Sequence, residues 1–266
     1  MVKDIVINAG NELKRQYYSI QASRAKEKFD LVTESDLLIE NMIVQELKQR
    51  YPDDSIYGEE MGVIEGNGHN RWIIDPIDGT ADFVFGVPYF AISVALERNG
   101  EICEGYVYNP ISEEFYYSTK DQKKSFLNDE EIQVSTTGNI PDALVAFGFS
   151  TNYEKITQYY RQWECLFENS KKGLPLITPA LTLCNVARGR IDIFIDSGCS
   201  MEGQAAAGLI VKNAGGHVYN YDCSDWDHRS KGIIASNGIM DGRSLQGCNY
   251  FGIFSKRIID ERNGLI

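Results

Sequence analysis

The chain has 266 residues, 43% of them hydrophobic, which permits one large domain or two closely packed halves around a substantial core. Its 38 acidic and 26 basic residues give a formal net charge of -12, which argues against a nucleic-acid or anionic-membrane partner and means that a phosphorylated substrate needs cations at its site. The charged N-terminus lacks a signal-peptide apolar stretch, no run reaches the ~18 apolar residues of a membrane span, and the six cysteines form no C-x-x-C pair, so the expectation is a soluble cytoplasmic protein with reduced thiols.

From Val2 to about Gln21 the apolar positions Ile5, Ile7, Leu13, Tyr17 and Tyr18, mixed with charges, predict a helix packed on one side, with Gly10 speaking against it. Thr33-Glu-Ser-Asp36 has the capping-box form of a helix start, which puts Asp36 in a first turn; Ile39, Ile43 and Leu47 then share one face until Pro52. Ser55-Ile-Tyr57 reads as a short strand carrying Gly58-Glu59-Glu60 at its end. Arg71 to Asp75 reads as the next strand, after a glycine-bearing loop. Tyr89 to Arg98 and Ile102 to Tyr108 flank Asn99-Gly100, a strong hairpin signal, and Phe115 to Ser118 extends that sheet.

Beyond Pro141 the pattern changes. Strands at Ala143 to Phe147, Ile191 to Ile195 and Gly232 to Ala235 alternate with helices at Tyr153 to Phe167, Leu181 to Ala187 and Gly203 to Asn213. The fold class is therefore layered α/β, with an N-terminal α+β part over 1–140 and a C-terminal α/β part over 141–266 joined at a packed seam in one compact unit.

The chemistry concentrates in Glu59-Glu60 and Asp75-Pro-Ile-Asp78-Gly79-Thr80. These acids stand at two strand ends without basic neighbours in sequence, and Pro76 and Gly79 are expected to turn the backbone so that Asp75 and Asp78 aim at one point. Carboxylates held that close take up protons unless an oxygen-seeking divalent ion such as Mg²⁺ balances them. Alone, Asp-Pro and Asp-Gly pairs are ordinary turn formers, and Thr80 could simply cap a helix.

Four blocks in order change that weighting. Trp72-Ile-Ile-Asp75-Pro-Ile-Asp78-Gly79-Thr80-Ala-Asp-Phe83, Asp30-Leu-Val-Thr33-Glu-Ser-Asp36, Gly58-Glu59-Glu60 and Ala205-Ala-Ala-Gly208 through Gly215-Gly216 together resemble the inositol monophosphatase family of metal-dependent, lithium-sensitive phosphatases. The resemblance spans most of the chain and implies an alternating α-β-α-β-α sandwich and a homodimer. It also implies two or three Mg²⁺ ions, held by Glu59, Asp75, the Ile77 carbonyl and Asp78, with Asp36 reaching a looser ion through water. Attack on a small phosphate monoester would then come from a metal-activated water oriented by Glu59 and Thr80, with Asp36 supporting Thr80. Asp78, Gly79 and Thr80 would meet the phosphate.

Two departures stand out against the family pattern. Its usual Trp-Asp before the Ala-Ala-Gly helix falls on Glu202-Gly203, so the expected ligand is missing from its column. Glu202, with one more methylene, is the expected replacement, ahead of Asp196 and Gln204. Upstream of Leu181 the chain reads Leu176-Ile-Thr178-Pro179-Ala180 where many relatives carry a basic residue and Gly-Ser-Ala, which leaves Thr178 as the substrate-side candidate. Asp196 aligns with an acidic position that accepts ring hydroxyls, or it is a surface-loop aspartate. Asp82 adds negative charge near the phosphate pocket, and Arg188 and Arg190 suit the end of a helix better than a phosphate. Related phosphatases for a nucleotide 3′-phosphate, histidinol phosphate or fructose bisphosphate share this core. A catalytically reduced metal- or phosphate-binding module is the alternative outside enzymes.

Overall fold

The computed structural model describes residues 2–21, 28–148 and 153–240. In chain order it runs α1 (Val2–Gln21), α2 (Lys28–Arg50), β1 (Ser55–Gly58), β2 (Gly62–Ile64), β3 (Asn70–Asp78), α3 (Thr80–Phe85), β4 (Ala91–Arg98), β5 (Glu101–Asn109), β6 (Glu114–Thr119), β7 (Lys124–Leu127) and β8 (Glu130–Ile132). A 3₁₀ turn at Ile140–Asp142 leads into β9 (Leu144–Gly148), α4 (Tyr153–Asn169), β10 (Lys172–Pro175), α5 (Pro179–Ala187), β11 (Ile193–Asp196), α6 (Met201–Asn213), β12 (His217–Asn220) and β13 (Ile233–Ser236).

These elements form five layers. The first sheet has the order β2-β1-β3-β4-β5-β6-β7-β8 and the second the order β10-β9-β11-β13-β12, so the chain passes from one to the other through the turn at Ile140–Asp142. One core packs α1 and α2 on the outer face of the first sheet through Val6, Leu13, Ile39, Ile43, Leu47 and Ile74. A second core, built on Leu181, Leu183, Phe194, Ala206 and Ile210, holds α5 and α6 between the sheets, and a third sets Trp163 and Leu166 of α4 against Phe147 and Ile195. Residues Glu202 to Val211 of α6 are buried all round, as a central helix with small side chains can be. The α-β-α-β-α sandwich is the expected one.

Three local expectations need correction. The second helix begins at Lys28, so Thr33 to Asp36 lies inside it rather than at its start; the side chain of Thr33 is outside the described residues. Pro76 does not end its strand, because β3 continues to Asp78 through a register shift against β4. Gly10 stays helical, and the reason is close approach: a Cβ there would meet the ring of Tyr108 at 2.4 Å. The hairpin at Asn99-Gly100 is as expected, with φ of 53° and 82°. Arg188 and Arg190 do more than end α5: both pair with Glu114 on β6. Five cysteines are free thiols, and Cys248 lies outside the described residues, as does the chain beyond 240.

Candidate active site

The irregularity in β3 is what gathers the acids. Asp75 opposes Ser93 and Asp78 opposes Ala91, so three steps on β3 match two on β4. In a regular strand an odd separation sends two side chains to opposite faces; the extra residue of the bulge returns them to the same side. Glu59, just past the end of β1, is anchored beside them by its N–H donating to the Ile74 carbonyl at 3.2 Å. Glu59, Asp75, Asp78, Gly79, Thr80 and Asp196 all line one cavity of about 410 Å³.

Short polar contacts fix this wall. The Ile77 N–H donates to Asp75 Oδ1 at 3.1 Å, and the Thr80 hydroxyl donates to the Ile77 carbonyl at 3.0 Å. Gly79 has φ 90°, open to glycine and strained for other residues, and a Cβ there would sit 2.4 Å from Thr178 Oγ1. Asp78 Oδ2 accepts from the Ala180 N–H at 2.7 Å, at the start of α5. Asp196 Oδ1 accepts from the N–H groups of Gly198 at 2.6 Å and Cys199 at 3.0 Å.

Electrostatically the cluster is short of positive charge. Burial pushes the Asp75 carboxyl well above the usual carboxylate range, and the charges of Glu59 and Asp78 push it further. Asp78 is also well above that range, through burial first, although N–H donors from Ala180 and Leu181 oppose the rise. Glu59, more open to solvent, is raised by desolvation and by Glu202 and Glu60. The neighbouring Asp75 side chain acts the other way on Glu59, whereas Glu59 raises Asp75. Asp36 is pushed up to about 8 by burial, then by Glu60 and Glu59.

A hard divalent cation fits this donor set in kind, because every group is an oxygen and a dication offsets the charge that burial and mutual repulsion disfavour. The cage is not closed, however. Among the described residues no three His, Cys, Asp or Glu side chains converge tightly enough to hold an ion ready-made.

The remaining candidates fall around the cavity rather than in its wall. Asp36 is buried behind the acids, and the Thr80 hydroxyl is engaged by Ile77, not by Asp36. Glu202 is buried in the first turn of α6, close enough to raise Glu59, Asp75 and the Tyr57 hydroxyl. Gln204 is committed elsewhere, donating to the Ser230 carbonyl at 2.7 Å and accepting from Trp226 at 2.8 Å. Thr178 is fully buried, with its hydroxyl 2.9 Å from both Asp82 Oδ2 and the Tyr89 carbonyl; its neighbours Ile177 and Pro179 reach the cavity instead. Asp82 thus faces Thr178.

Sequence reasoning missed Lys231, the cationic side chain in the lining, and also Cys199 and Ser200. No motif marks them: they come from the turns around β11 and before β13, which only the second sheet brings to the acids.

The inositol monophosphatase family model matches residues 2–249. The chain belongs to the inositol monophosphatase family. It is 34% identical over 250 residues to inositol monophosphatase 3 of Solanum lycopersicum, covering 91% of this chain and 92% of that one. It is 36% identical over 220 residues to the fructose-1,6-bisphosphatase/inositol-1-monophosphatase of Thermotoga maritima, covering 83% of each. Among solved structures, the extragenic suppressor protein suhB of Bartonella henselae superposes with a TM-score of 0.80 at 31% identity, covering 90% of this chain and 93% of that one. As a member of the inositol monophosphatase family the chain is a metal-dependent phosphatase.

Proposed function

We propose that the chain is a Mg²⁺-dependent hydrolase of a small phosphate monoester, with an inositol monophosphate as the substrate type. The observation that carries this reading is the set of three carboxyl groups, Glu59, Asp75 and Asp78, lining one small cavity where burial and mutual charge raise each of them. Such a cluster stays ionised at neutral pH only beside a cation.

Glu59, Asp75, Asp78 and the Ile77 carbonyl would hold the metal, with Glu202 close beside them. Bound Mg²⁺ supplies positive charge that neutralises phosphoryl oxygens and eases deprotonation of the attacking water. Glu59 and the Thr80 hydroxyl orient that water, and the Ile77 carbonyl fixes the hydroxyl's direction. The Thr80 N–H, in the first turn of α3, has no intrahelical acceptor and would be free to donate to a phosphoryl oxygen in the cavity that Thr80 lines. Asp196, in the same cavity, keeps Oδ2 as an acceptor for a substrate hydroxyl, since Oδ1 already serves Gly198 and Cys199. The reading includes a cytoplasmic setting and a homodimer; the free thiols agree with the first, and no helix among the described residues is long and apolar enough to cross a membrane.

The test is phosphate release from myo-inositol 1-phosphate, a nucleotide 3′-phosphate, histidinol phosphate and fructose 1,6-bisphosphate, with Mg²⁺ and with EDTA. Release that is fastest on the inositol ester and abolished by EDTA is expected. Inactivity on all four overturns the reading.

A further inference from the structure

A second cavity of about 800 Å³, larger than the one at the acids, opens where the C-terminal end of α6 meets the β4–β5 and β6–β7 turns and the loop before β13. Its size is within the range of about 300–1,000 Å³ typical of small-molecule sites. Its floor is apolar, made by Ile102, Leu209 and the indole of Trp226. Trp72 and Trp163 are buried in the cores, whereas Trp226 keeps part of its surface open. The indole is held still, because its Nε1–H donates to Gln204 Oε1 at 2.8 Å.

The rim reverses the character of the molecule. Four cationic side chains line this cavity against the acidic pair Glu101 and Asp227, in a chain whose formal net charge is -12. Two of the cations are already matched: Lys120 pairs with Glu101, and Arg229 with Glu97 at 3.1 Å. Lys123 and Lys212 are different. Among the described residues neither makes an ion pair, and Lys212 Nζ instead lies 5.5 Å from the Trp226 ring centroid. Attraction to the C-terminal end of α6 accounts for Lys212 but not for Lys123, which comes from another sheet turn, nor for the open indole.

We propose that this cavity is a binding site, separate from the acid cluster, for a small molecule that joins a flat apolar ring to a phosphate-like dianion, as a mononucleotide does. The ring would rest on Trp226 between Ile102 and Leu209, and the flexible ammonium arms of Lys123 and Lys212 would close on the anion. The overall negative charge favours a small molecule over a polynucleotide, whose length would carry it past the acidic surface.

The test is titration of the full chain in EDTA with adenosine 5′-monophosphate, followed by tryptophan fluorescence. Without metal the acid cluster repels phosphate, so binding there is suppressed. Saturable quenching is expected, weakened about tenfold or more in the Lys123→Glu, Lys212→Glu double variant and unchanged in Asp75→Asn. Inorganic phosphate, which has no ring, should bind about tenfold more weakly than the nucleotide. Absence of saturable quenching overturns the proposal, as does quenching that survives the double charge reversal within about twofold. Loss of quenching in Asp75→Asn would assign the signal to the catalytic cavity and overturn it too.

Discussion

Asp78 and Ala180 are 102 positions apart in sequence, yet the carboxylate of one accepts the backbone N–H of the other at 2.7 Å. The bond seats an acid of the first sheet on the opening turn of α5, where free N–H groups favour negative charge. Asp78 therefore belongs to the acid wall and holds the helix at once. Asp78→Ala is expected to abolish phosphate release and to cost about 1–2 kcal/mol in chemical denaturation, the usual range for a lost cap. Asp78→Asn keeps an acceptor for Ala180 and should lose turnover while retaining most of that stability.

The burial of Asp75 leads to a second expectation. Burial and neighbouring charge both make an ionised Asp75 unfavourable in the metal-free fold. Asp75→Asn removes that cost, so in EDTA the variant should melt at a higher temperature than the parent chain. Adding Mg²⁺ should then raise the melting temperature of the parent but not of the variant. Thermal melts of both proteins with and without Mg²⁺ decide the matter.

Glu202 occupies the column beside a missing family ligand, and the Tyr57 hydroxyl lies close enough to feel its charge. If it turns to the metal, Glu202→Gln should raise the Mg²⁺ concentration needed for half-maximal phosphate release by about tenfold, the lower end of what losing a metal-site partner costs. Tyr57→Phe should lower it, by removing a competing hydroxyl. An unchanged Mg²⁺ requirement in both variants would leave Glu202 a structural acid.

A fourth expectation concerns pH and lies away from the metal site. His228 Nε2 is 2.6 Å from Glu97 Oε2, in a buried pair that also receives Arg71 at 2.8 Å. Burial holds the imidazole below its ordinary value of 6.5 despite the carboxylate, so the neutral ring donates Nε2–H. Burial would raise Glu97, but the hydrogen bonds from His228 and Arg71 and the charges of Arg71 and Arg229 hold it below 4.5. For His228 the unfolded chain binds the proton first, so its contribution is full above 6.5 and declines as pH falls through that value towards the folded one. The Glu97 contribution is present above 4.5 and lost as pH falls through its lower folded value. Denaturation midpoints should thus fall between about pH 7 and pH 5, and His228→Gln should flatten that segment of the profile.

Much of the layering was legible because long elements carry their own period. Ile39, Ile43 and Leu47 repeat at helical spacing and are all fully buried, and the Asn99-Gly100 turn specifies its hairpin by backbone conformation alone. The short strands β2, β7, β8, β10 and β12 carried no such signal, since three or four residues cannot establish an alternation. Their places are set by the sheets they join.

The acids meet in one cavity, but by a different geometry from the one their sequence suggests. Pro76 suggested a turn, whereas the chain stays in β3 and uses a bulge, a choice that depends on β4 and is invisible in local sequence. Thr178 shows the same limit in reverse. Its position beside Pro179 and Ala180 looked outward, but Asp82 and the Tyr89 carbonyl claim the hydroxyl from residues about ninety positions upstream. Lys231 could not be placed because nothing in its neighbours fixes how β13 lies against β11, two antiparallel strands that close the far side of the cavity.

The cavity takes Glu59, Asp75 and Asp78 from the first sheet, and Asp196 and Lys231 from residues at the edges of β11 and β13. A chain cut before Ile193 would keep the three acids of the first sheet and lose the opposite wall, so neither sheet carries the cavity by itself.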